Sequence, residues 1–486
     1  MRLLNFLSPA PPAAPLPPEK IDPAYKRLRL QVFAGAFIGY AAYYLVRKNL
    51  ALASHEMKMP VEQGGLGYDN SQIGLAMSAL AIAYAFSKFL MGSLSDRSDA
   101  RKFMVLGLVL AAGVMLAVGL LPFIASSLAW LFVFMFLAGW ISGMGWPPCG
   151  RIMAHWFSHT ERSFKMSIWN TSHTLGNGLL GNFAHWGVTL IGGLFVYTLV
   201  DGGTVAQPWR AVFVFPAAVA MVLALFCWWA LRDTPRSCGL PPVAQWRNDP
   251  SPVKEKTGEE NKIPFARLFV EYIFKNKTLW MLALANAFVY LVRYGVGDWS
   301  VTYLRETGIL GASASKLAFS LHNYAGIPGT ILCGLLSAKL FKGRCAPANV
   351  IYMLLVIGSI LIYWQATPLA SWMSPGLGLA METTRAGLVY FALIAVGFCI
   401  YGPVALVSVQ AINLVPKNAA GTAAGFVGLF GYLLGDALLS KIVMGKVADS
   451  AGGWNATFWL LIASSVLAVL LCALTIRSEK LAGAKM

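Results

Sequence analysis

The chain has 486 residues, of which 57% are hydrophobic and 12% are charged. Soluble domains carry about 25% charged residues, so this composition excludes a soluble globular protein and indicates a membrane protein with many spans. The formal net charge of +17 at pH 7 would suit a nucleic-acid partner, but the placement of the basic residues described below argues against one.

The N-terminal segment contains a proline-rich run over residues 9–18, followed by the charged pair Glu19-Lys20. It lacks the pattern of a cleaved signal peptide, and its composition is typical of a disordered tail. We therefore predict a cytoplasmic, proline-rich tail over residues 1–29, with the first membrane span directing insertion.

Twelve apolar stretches follow, each near the 20 or so residues that cross a bilayer as a helix. They begin near Leu30, Ser71, Phe103, Ser127, Met166, Arg210, Thr278, Lys316, Asn349, Gly387, Gly421 and Trp454. A hydrophilic stretch with six prolines separates the first six from the last six. We predict an all-α membrane protein with a six-helix bundle over 30–232, a cytoplasmic linker over 233–277, a second, pseudo-symmetric six-helix bundle over 278–476, and a cytoplasmic tail over 477–486.

The positive charges predict the orientation, because lysine and arginine are enriched on the cytoplasmic side of membrane proteins. With the N-terminus inside, 27 of the 38 basic residues fall on the inner side and five on the outer side. This bias places both termini in the cytoplasm. It also accounts for most of the net charge without nucleic acid.

Two motifs recur in the two halves. Tyr44-Leu-Val-Arg47 is repeated as Tyr290-Leu-Val-Arg293, 246 residues later. The charged turn Gly92-Ser-Leu-Ser-Asp-Arg, which ends in Asp96-Arg97, has a degenerate copy beginning at Gly334, 242 residues later. The nearly equal offsets indicate a transporter built from two related halves, with its site at the bilayer midplane. The turn itself is either a solvated basic loop or, as we predict for Asp96 and Arg97, a gating element.

Arg47 and Arg293 are the strongest candidates for a binding site. An arginine at the centre of a membrane helix costs about 2.5–3.5 kcal/mol on insertion scales. Its permanent charge and its fork of donors fit a phosphate, so two of them would bind a dianion. The alternative is that each arginine pairs with a nearby acid. Asp298, five residues after Arg293, could do so in the empty state.

Other polar residues of the apolar segments could support this site. Tyr40 and Tyr44 share a helical face with Arg47, and Tyr290 precedes Arg293 by one turn. His173 lies among small and polar residues that suggest a cavity lining, although a lone histidine is more often a packing residue. Lys88 could reach the site or extend its ammonium to the membrane surface.

Two further candidates lie near the end of the chain. Asp436 and Lys441 are five residues apart in one predicted span, so they do not share an α-helical face and no direct pair is assured. No nucleophile–base arrangement, phosphate-cradling loop or metal-ligand cluster is visible. The sequence therefore predicts no enzyme, no catalytic residue, no metal and no cofactor.

Stretches from the tail to the eleventh span carry a family resemblance. They include GYAAYYLVRKN (39–49), FSKFLMGSLSDRS (86–98), GMGWPPCGR (143–151), RDTPRSCGLPP (232–242), YLVRYGVGDWS (290–300), YAGIPG (324–329) and AAGTAAGF (419–426). Together they resemble the organophosphate:inorganic phosphate antiporters of the major facilitator superfamily, and among these the glycerol-3-phosphate carriers most.

The resemblance implies import of a phosphate ester in exchange for inorganic phosphate by alternating access, in a bacterial inner membrane and by a monomer. Arg47 and Arg293 would hold the phosphate, and Asp298 would be the counter-charge that releases them. A supporting shell is also implied, in which His173 and Lys88 assist and Tyr40, Tyr44, Tyr84 and Tyr290 shape the cavity.

Departures from the family pattern leave the organic part of the substrate open. Asn323 stands where the glycerol-3-phosphate carriers have an acidic residue, whereas Asp436 and Lys441 are closer to the hexose-6-phosphate carriers. Unlike the arginine, the residues that could select the organic group (His173, Asn323, Asp436, Lys441) have no evident counterpart in the other half. We predict glycerol-3-phosphate:phosphate exchange. A hexose-6-phosphate antiporter and a phosphate-ester sensor of the same fold are the alternatives.

Overall fold

Helices dominate the computed structural model, which describes residues 6–96, 98–198, 203–247, 269–415 and 420–483. A helix lies at each of the twelve predicted spans. Eight helical segments of the described ranges are long and apolar enough to cross a membrane.

The described part of the N-terminal half contains eleven α-helices and two short strands that form one sheet. In chain order they are α1 (Pro18–Leu45), α2 (Asn49–Lys58), α3 (Asn70–Asp96), α4 (Ala100–Leu120), α5 (Pro122–Ser126), α6 (Leu128–Ser142), α7 (Trp146–Trp156), α8 (His159–Asn170), α9 (Ser172–Ile191), β1 (Val196–Thr198), β2 (Thr204–Ala206), α10 (Ala211–Ala230) and α11 (Val243–Arg247). Short 3₁₀ turns cover Val61–Gln63, Gly192–Leu194, Pro208–Arg210 and Pro235–Cys238.

In its described ranges, the C-terminal half combines α-helices with three π-helical segments. Its α-helices are α12 (Lys277–Glu306), α13 (Ala312–Leu335), α14 (Cys345–Trp364), α15 (Ala366–Leu377), α16 (Met381–Asn413), α17 (Ala420–Leu429), α18 (Met444–Ala448) and α19 (Gly453–Gly483). The π-helices cover Phe269–Phe274, Leu336–Leu340 and Phe430–Val443.

The chain divides into two compact units. Unit 1 contains residues 1–49, 82–197 and 206–257, and unit 2 contains residues 50–81, 198–205 and 258–486. Within unit 1, α1 packs against α9 and α10, and α4 packs against α10. Within unit 2, α12 packs against the Phe430–Val443 π-helix and α19, and α14 packs against α19. The repeat found in the sequence is therefore also present in the helix packing.

The first span is interrupted beside its arginine. α1 ends at Leu45 and α2 begins at Asn49, so Arg47 lies in a short non-helical link. The Asn49 side-chain amide donates to the carbonyl of Leu45 (3.0 Å) and to that of Val212 (2.9 Å). Buried backbone carbonyls need such partners, so Asn49 stabilises the break. Arg293, in contrast, lies inside the continuous helix α12.

The prediction of a disordered tail is wrong for residues 6–16, which pack along unit 1. The backbone N–H of Ala13 donates to the carbonyl of Arg236 (3.0 Å), and that of Leu16 donates to the carbonyl of Gly239 (2.9 Å). Donors three residues apart lie on one edge of an extended polyproline-type chain, which explains this spacing. Gly239 has φ +73°, and a Cβ there would also meet the tail backbone, so only glycine suits the position.

A buried carboxylate ties the end of α10 to its neighbours. Asp233 accepts a hydrogen bond from the N-terminal backbone of α4 at Ala100 (3.1 Å) and from the tail at Ala10 (3.3 Å). It also pairs with the guanidinium of Arg151 (Nε–Oδ1 3.1 Å). The residues from 233 to 247 are therefore part of unit 1. Residues 248–268 of the predicted linker lie outside the described ranges.

Unit 2 contains a similar arrangement, in which the described residues form no ion pair with the carboxylate. Glu479, 246 residues after Asp233, accepts from the backbone N–H groups of Cys345 (2.7 Å) and Ala346 (2.9 Å) at the start of α14. The two acids therefore hold equivalent helix N-termini, where a negative charge is favourable.

We expect different losses of stability when the carboxylates of Asp233 and Glu479 are removed. Asp233→Ala removes a helix cap and also the buried carboxylate that pairs with Arg151, and breaking such a pair costs about 3–5 kcal/mol. Glu479→Ala removes a cap worth about 0.5–2 kcal/mol. In thermal unfolding of the detergent-solubilised proteins, the apparent melting temperature of the Asp233 variant should be the lower of the two. An equal or larger loss for the Glu479 variant would contradict this assignment.

Candidate functional site

Arg47 lies on aromatic rings in unit 1. Its side chain is 8% exposed. The guanidinium carbon is 3.8 Å from the ring centroid of Tyr84 and 5.2 Å from that of Tyr44, and Nη1 donates to the Tyr44 hydroxyl at 3.2 Å. Such cation–π contacts stabilise a desolvated arginine.

The predicted tyrosines and histidine lie together beside Arg47. The hydroxyl oxygens of Tyr40 and Tyr44 are 3.5 Å apart. The His173 ring is 5.6 Å from that of Tyr44, and its Nδ1 contacts the carbonyl of Asn170. Trp169, which the sequence analysis did not single out, stacks on Tyr40 with ring centroids 4.7 Å apart. These residues form one connected wall of unit 1.

Of the remaining predicted basic residues of the first half, the structure describes Lys88. Lys88 is half-buried, and its Nζ lies 5.8 Å from the ring centroid of Trp146. The predicted gating residue Arg97 and the side chain of Asp96 lie outside the described residues.

Arg293 occupies a similar setting in unit 2. It is 6% exposed, and its guanidinium carbon lies 4.6 Å from the ring centroid of Tyr401, 4.9 Å from Tyr294 and 5.7 Å from Tyr290. Its Nε is buried and has no hydrogen-bond partner among the residues that the structure describes. A buried donor left unpaired is unfavourable, so the site is suited to an added acceptor.

The expected partner of Arg293 has another ion pair. Asp298 pairs with the ammonium group of Lys441 in the π-helix, and Asp436 Oδ1 lies 3.3 Å from the same ammonium group. All three side chains are at least 95% buried. In a π-helix the hydrogen bonds run from residue i to i+5, so Asp436 and Lys441 share a face. The two side chains therefore pair directly, which the α-helical period did not predict.

Asn323 acts on the arginine through a tyrosine. It is 1% exposed, and its Oδ1 accepts a hydrogen bond from the Tyr401 hydroxyl at 2.7 Å. The ring of Tyr401 in turn lies against Arg293. A Cβ at Gly326 would overlap this ring, so the glycine of the YAGIPG stretch makes room for it. Asn323 is thus a positioning residue in this structure.

Two glycines beside the arginines reveal counterparts that the sequence analysis missed. A Cβ at Gly176 would overlap the carbonyl of Ala41, and a Cβ at Gly435 would overlap that of Ala287. Both alanines stand six residues before an arginine. If the glycines are equivalent, His173 corresponds to Tyr432, and Asp436 corresponds to Asn177.

Ring contacts agree with this register. Tyr432 lies 5.1 Å from Tyr290, as His173 lies 5.6 Å from Tyr44. In this register, the positions of His173 and Asp436 are occupied in the other half by a tyrosine and an asparagine. Neither counterpart repeats the residue type, so a search for identical letters could not find them.

The comparisons with known proteins agree with this architecture. The family model described as Major Facilitator Superfamily matches residues 32–440. The chain belongs to the Major Facilitator Superfamily. This membership confirms the predicted all-α major facilitator fold, and it makes the chain a membrane transporter and not an enzyme.

Individual relatives cover nearly the whole chain. A glycerol-3-phosphate transporter of Bacillus subtilis (strain 168) is 45% identical over 98% of this chain and 99% of its own length. A probable hexose phosphate transport protein of Chlamydia trachomatis is 33% identical over 93% of this chain and 92% of its own. These matches confirm the resemblance to phosphate-ester carriers of the superfamily.

A solved structure supports the fold alone. A bacterial homologue of the human lysosomal transporter Spinster superimposes with a TM-score of 0.66 at 19% identity. The similarity covers 94% of this chain and 97% of that protein.

Proposed function

We propose that the protein imports glycerol-3-phosphate in exchange for inorganic phosphate, as a monomer in a bacterial inner membrane with both termini in the cytoplasm. The observation that carries the proposal is the buried arginine on phenol rings in each unit, Arg47 at 8% and Arg293 at 6% exposure. The identity of 45% to a glycerol-3-phosphate transporter supports the choice of ester.

The chemistry of the two arginines fits a phosphate monoester. Each guanidinium offers parallel N–H donors that match two phosphate oxygens, and such charge-assisted pairs are about twice as strong as neutral hydrogen bonds. Aromatic faces hold each guanidinium without neutralising it. Inorganic phosphate presents the same oxygens as the ester, so both would bind.

Exchange follows from the charge of the empty protein. Without an anion, each unit keeps a desolvated guanidinium whose charge no substrate balances. Reorientation of the empty carrier is then unfavourable, because a desolvated charge needs a partner. Transport of one anion in each direction avoids this state, and net flow of the ester alone is not expected.

We assign the neighbouring residues supporting roles. In unit 1, Tyr40, Tyr44 and Tyr84 shape the wall that holds Arg47, and His173 and Lys88 assist phosphate binding. In unit 2, Tyr290 shapes the wall and Asn323 positions Tyr401. Asp298, paired with Lys441, supplies the counter-charge. Asp96 and Arg97 gate the conformational change.

A hexose-6-phosphate antiporter is the second candidate. The buried cluster of Asp298, Asp436 and Lys441 favours it, because these polar groups could read the additional hydroxyls of a sugar. The relative from Chlamydia trachomatis points the same way, although its identity of 33% is lower.

Release of trapped phosphate tests the proposal. Proteoliposomes loaded with labelled inorganic phosphate should release the label when glycerol-3-phosphate is added outside. Glucose-6-phosphate should need at least about a tenfold higher concentration, which corresponds to roughly 1.4 kcal/mol of discrimination. The reverse order would establish the hexose alternative. If neither ester releases the label, the proposal is overturned, and the phosphate-ester sensor of the same fold is the remaining alternative.

A further inference from the structure

We propose that Asn177 binds the hydroxyl groups of the transported ester and thereby selects its organic part. This inference rests on the proposed function, because it assigns a subsite to the same substrate. Asn177 lies in α9 and is 0% exposed. Neither its Nδ2 nor its Oδ1 has a hydrogen-bond partner among the residues that the structure describes.

An unpartnered amide of this kind needs an explanation. Buried polar side chains are nearly always hydrogen-bonded. A leucine of similar size would avoid the unfavourable burial, so packing alone does not account for an asparagine here. The donors and the acceptor of the amide are available to a ligand that brings both kinds of group.

The position of Asn177 connects it to the phosphate end of the site. It follows His173 by four residues, so the two side chains lie on the same face of α9, about 6 Å apart along the axis. The His173 ring is 5.6 Å from Tyr44, whose hydroxyl accepts from Arg47. If the phosphate of an ester is held near Arg47 and His173, a short carbon chain attached to it would therefore be long enough to reach Asn177.

The counterpart in unit 2 shows how this position can be filled. Asp436, which corresponds to Asn177 in the register of the paired glycines, is paired with Lys441 of the protein itself. In unit 1 the position holds a neutral amide with no such partner in the described ranges. In unit 2, the side chain at this position is thus paired within the protein. In unit 1, the amide donors and acceptor stay available to a ligand.

The chemistry of the amide predicts the ligand class. An amide is neutral and offers both donors and an acceptor, which suits a hydroxyl group, itself a donor and an acceptor. It adds no charge to the phosphate subsite. Inorganic phosphate lacks a carbon skeleton and would not reach it. Asn177 should therefore distinguish a polyol ester from inorganic phosphate.

Asn177→Leu tests the inference in reconstituted vesicles, with each substrate measured in exchange for internal phosphate. The KM for glycerol-3-phosphate should rise about tenfold, the loss expected for one or two hydrogen bonds, whereas the KM for phosphate should change less than twofold. Because the amide has no internal partner, thermal stability should not fall. An equal change for both substrates, or no change for either, would overturn the inference.

A control separates this role from packing. Asn349→Leu removes an equally buried amide whose Nδ2 has a partner, Gln410 at 3.4 Å. It should lower stability and leave the ratio of the two KM values unchanged. If the wild type exchanges glucose-6-phosphate in place of glycerol-3-phosphate, the proposed substrate is wrong and the same KM ratio tests Asn177 with that ester. If the wild type exchanges no ester, both proposals fail.

Discussion

Arg47→Lys and Arg293→Lys should each lower the rate of phosphate exchange by about a hundredfold or more, equivalent to roughly 2.7 kcal/mol of transition-state stabilisation. A lysine keeps the charge, but its ammonium is a single point donor that cannot bind two phosphate oxygens in parallel. It also lacks the flat surface that lies 3.8 Å from the ring centroid of Tyr84 and 4.6 Å from that of Tyr401. The rates are measured as exchange of labelled phosphate per reconstituted molecule.

Arg210→Lys is the matched control for this experiment. Arg210 is as deeply buried in unit 1, at 1% exposure, but its donors are used inside the protein. Its Nε donates to Gln207 at 2.6 Å and its Nη1 to the carbonyl of Gly119 at 3.2 Å. This variant should keep its exchange rate per folded molecule. Wild-type exchange by Arg47→Lys would contradict a bidentate role for that arginine.

The second large effect concerns stability. Lys441→Met should destabilise the protein by about 3–5 kcal/mol, because removal of one partner leaves buried charge uncompensated. Here two carboxylates, Asp298 and Asp436, pair with one ammonium group. The apparent melting temperature of the solubilised variant should fall well below that of the wild type.

Neutralising the acids should reverse this loss. The triple variant Lys441→Met, Asp298→Asn, Asp436→Asn replaces the whole ionic cluster with neutral groups, a change that is often close to neutral for stability. Lys446→Met, at an exposed position of α18, is the control and should stay within about 0.5 kcal/mol of the wild type. A stable Lys441→Met variant, or a triple variant no better than the single one, would contradict the assignment.

Much of the helical architecture could be predicted because it depends on local composition. The length of the apolar stretches and the repeat of Tyr-Leu-Val-Arg led to the helices and to both arginines. The break at Arg47 could not be predicted, because Asn49 stabilises it through Val212, 163 residues away. The π-helix was also missed, since the spacing argument assumed the α-helical period throughout.

The tyrosines around the two arginines were predicted only in part, where they are close to an arginine in the sequence. Tyr44 and Tyr290 precede their arginines by one turn, so sequence proximity predicted their positions. Tyr401 contacts Arg293 from α16, more than a hundred residues later. The one sequence feature related to this contact is Gly326, whose lack of a side chain makes room for the Tyr401 ring. The polar counterparts of His173 and Asp436 were hidden because the two halves use different residue types at equivalent positions.

The most direct test of the proposed function is whether transport is strictly an exchange. Labelled glycerol-3-phosphate is offered to proteoliposomes loaded with inorganic phosphate and to matched vesicles loaded with potassium chloride. We expect accumulation in the phosphate-loaded vesicles, whereas uptake into the chloride-loaded vesicles should be no greater than into protein-free liposomes. Equal uptake into both sets of vesicles would contradict an exchange that depends on two anion-binding arginines.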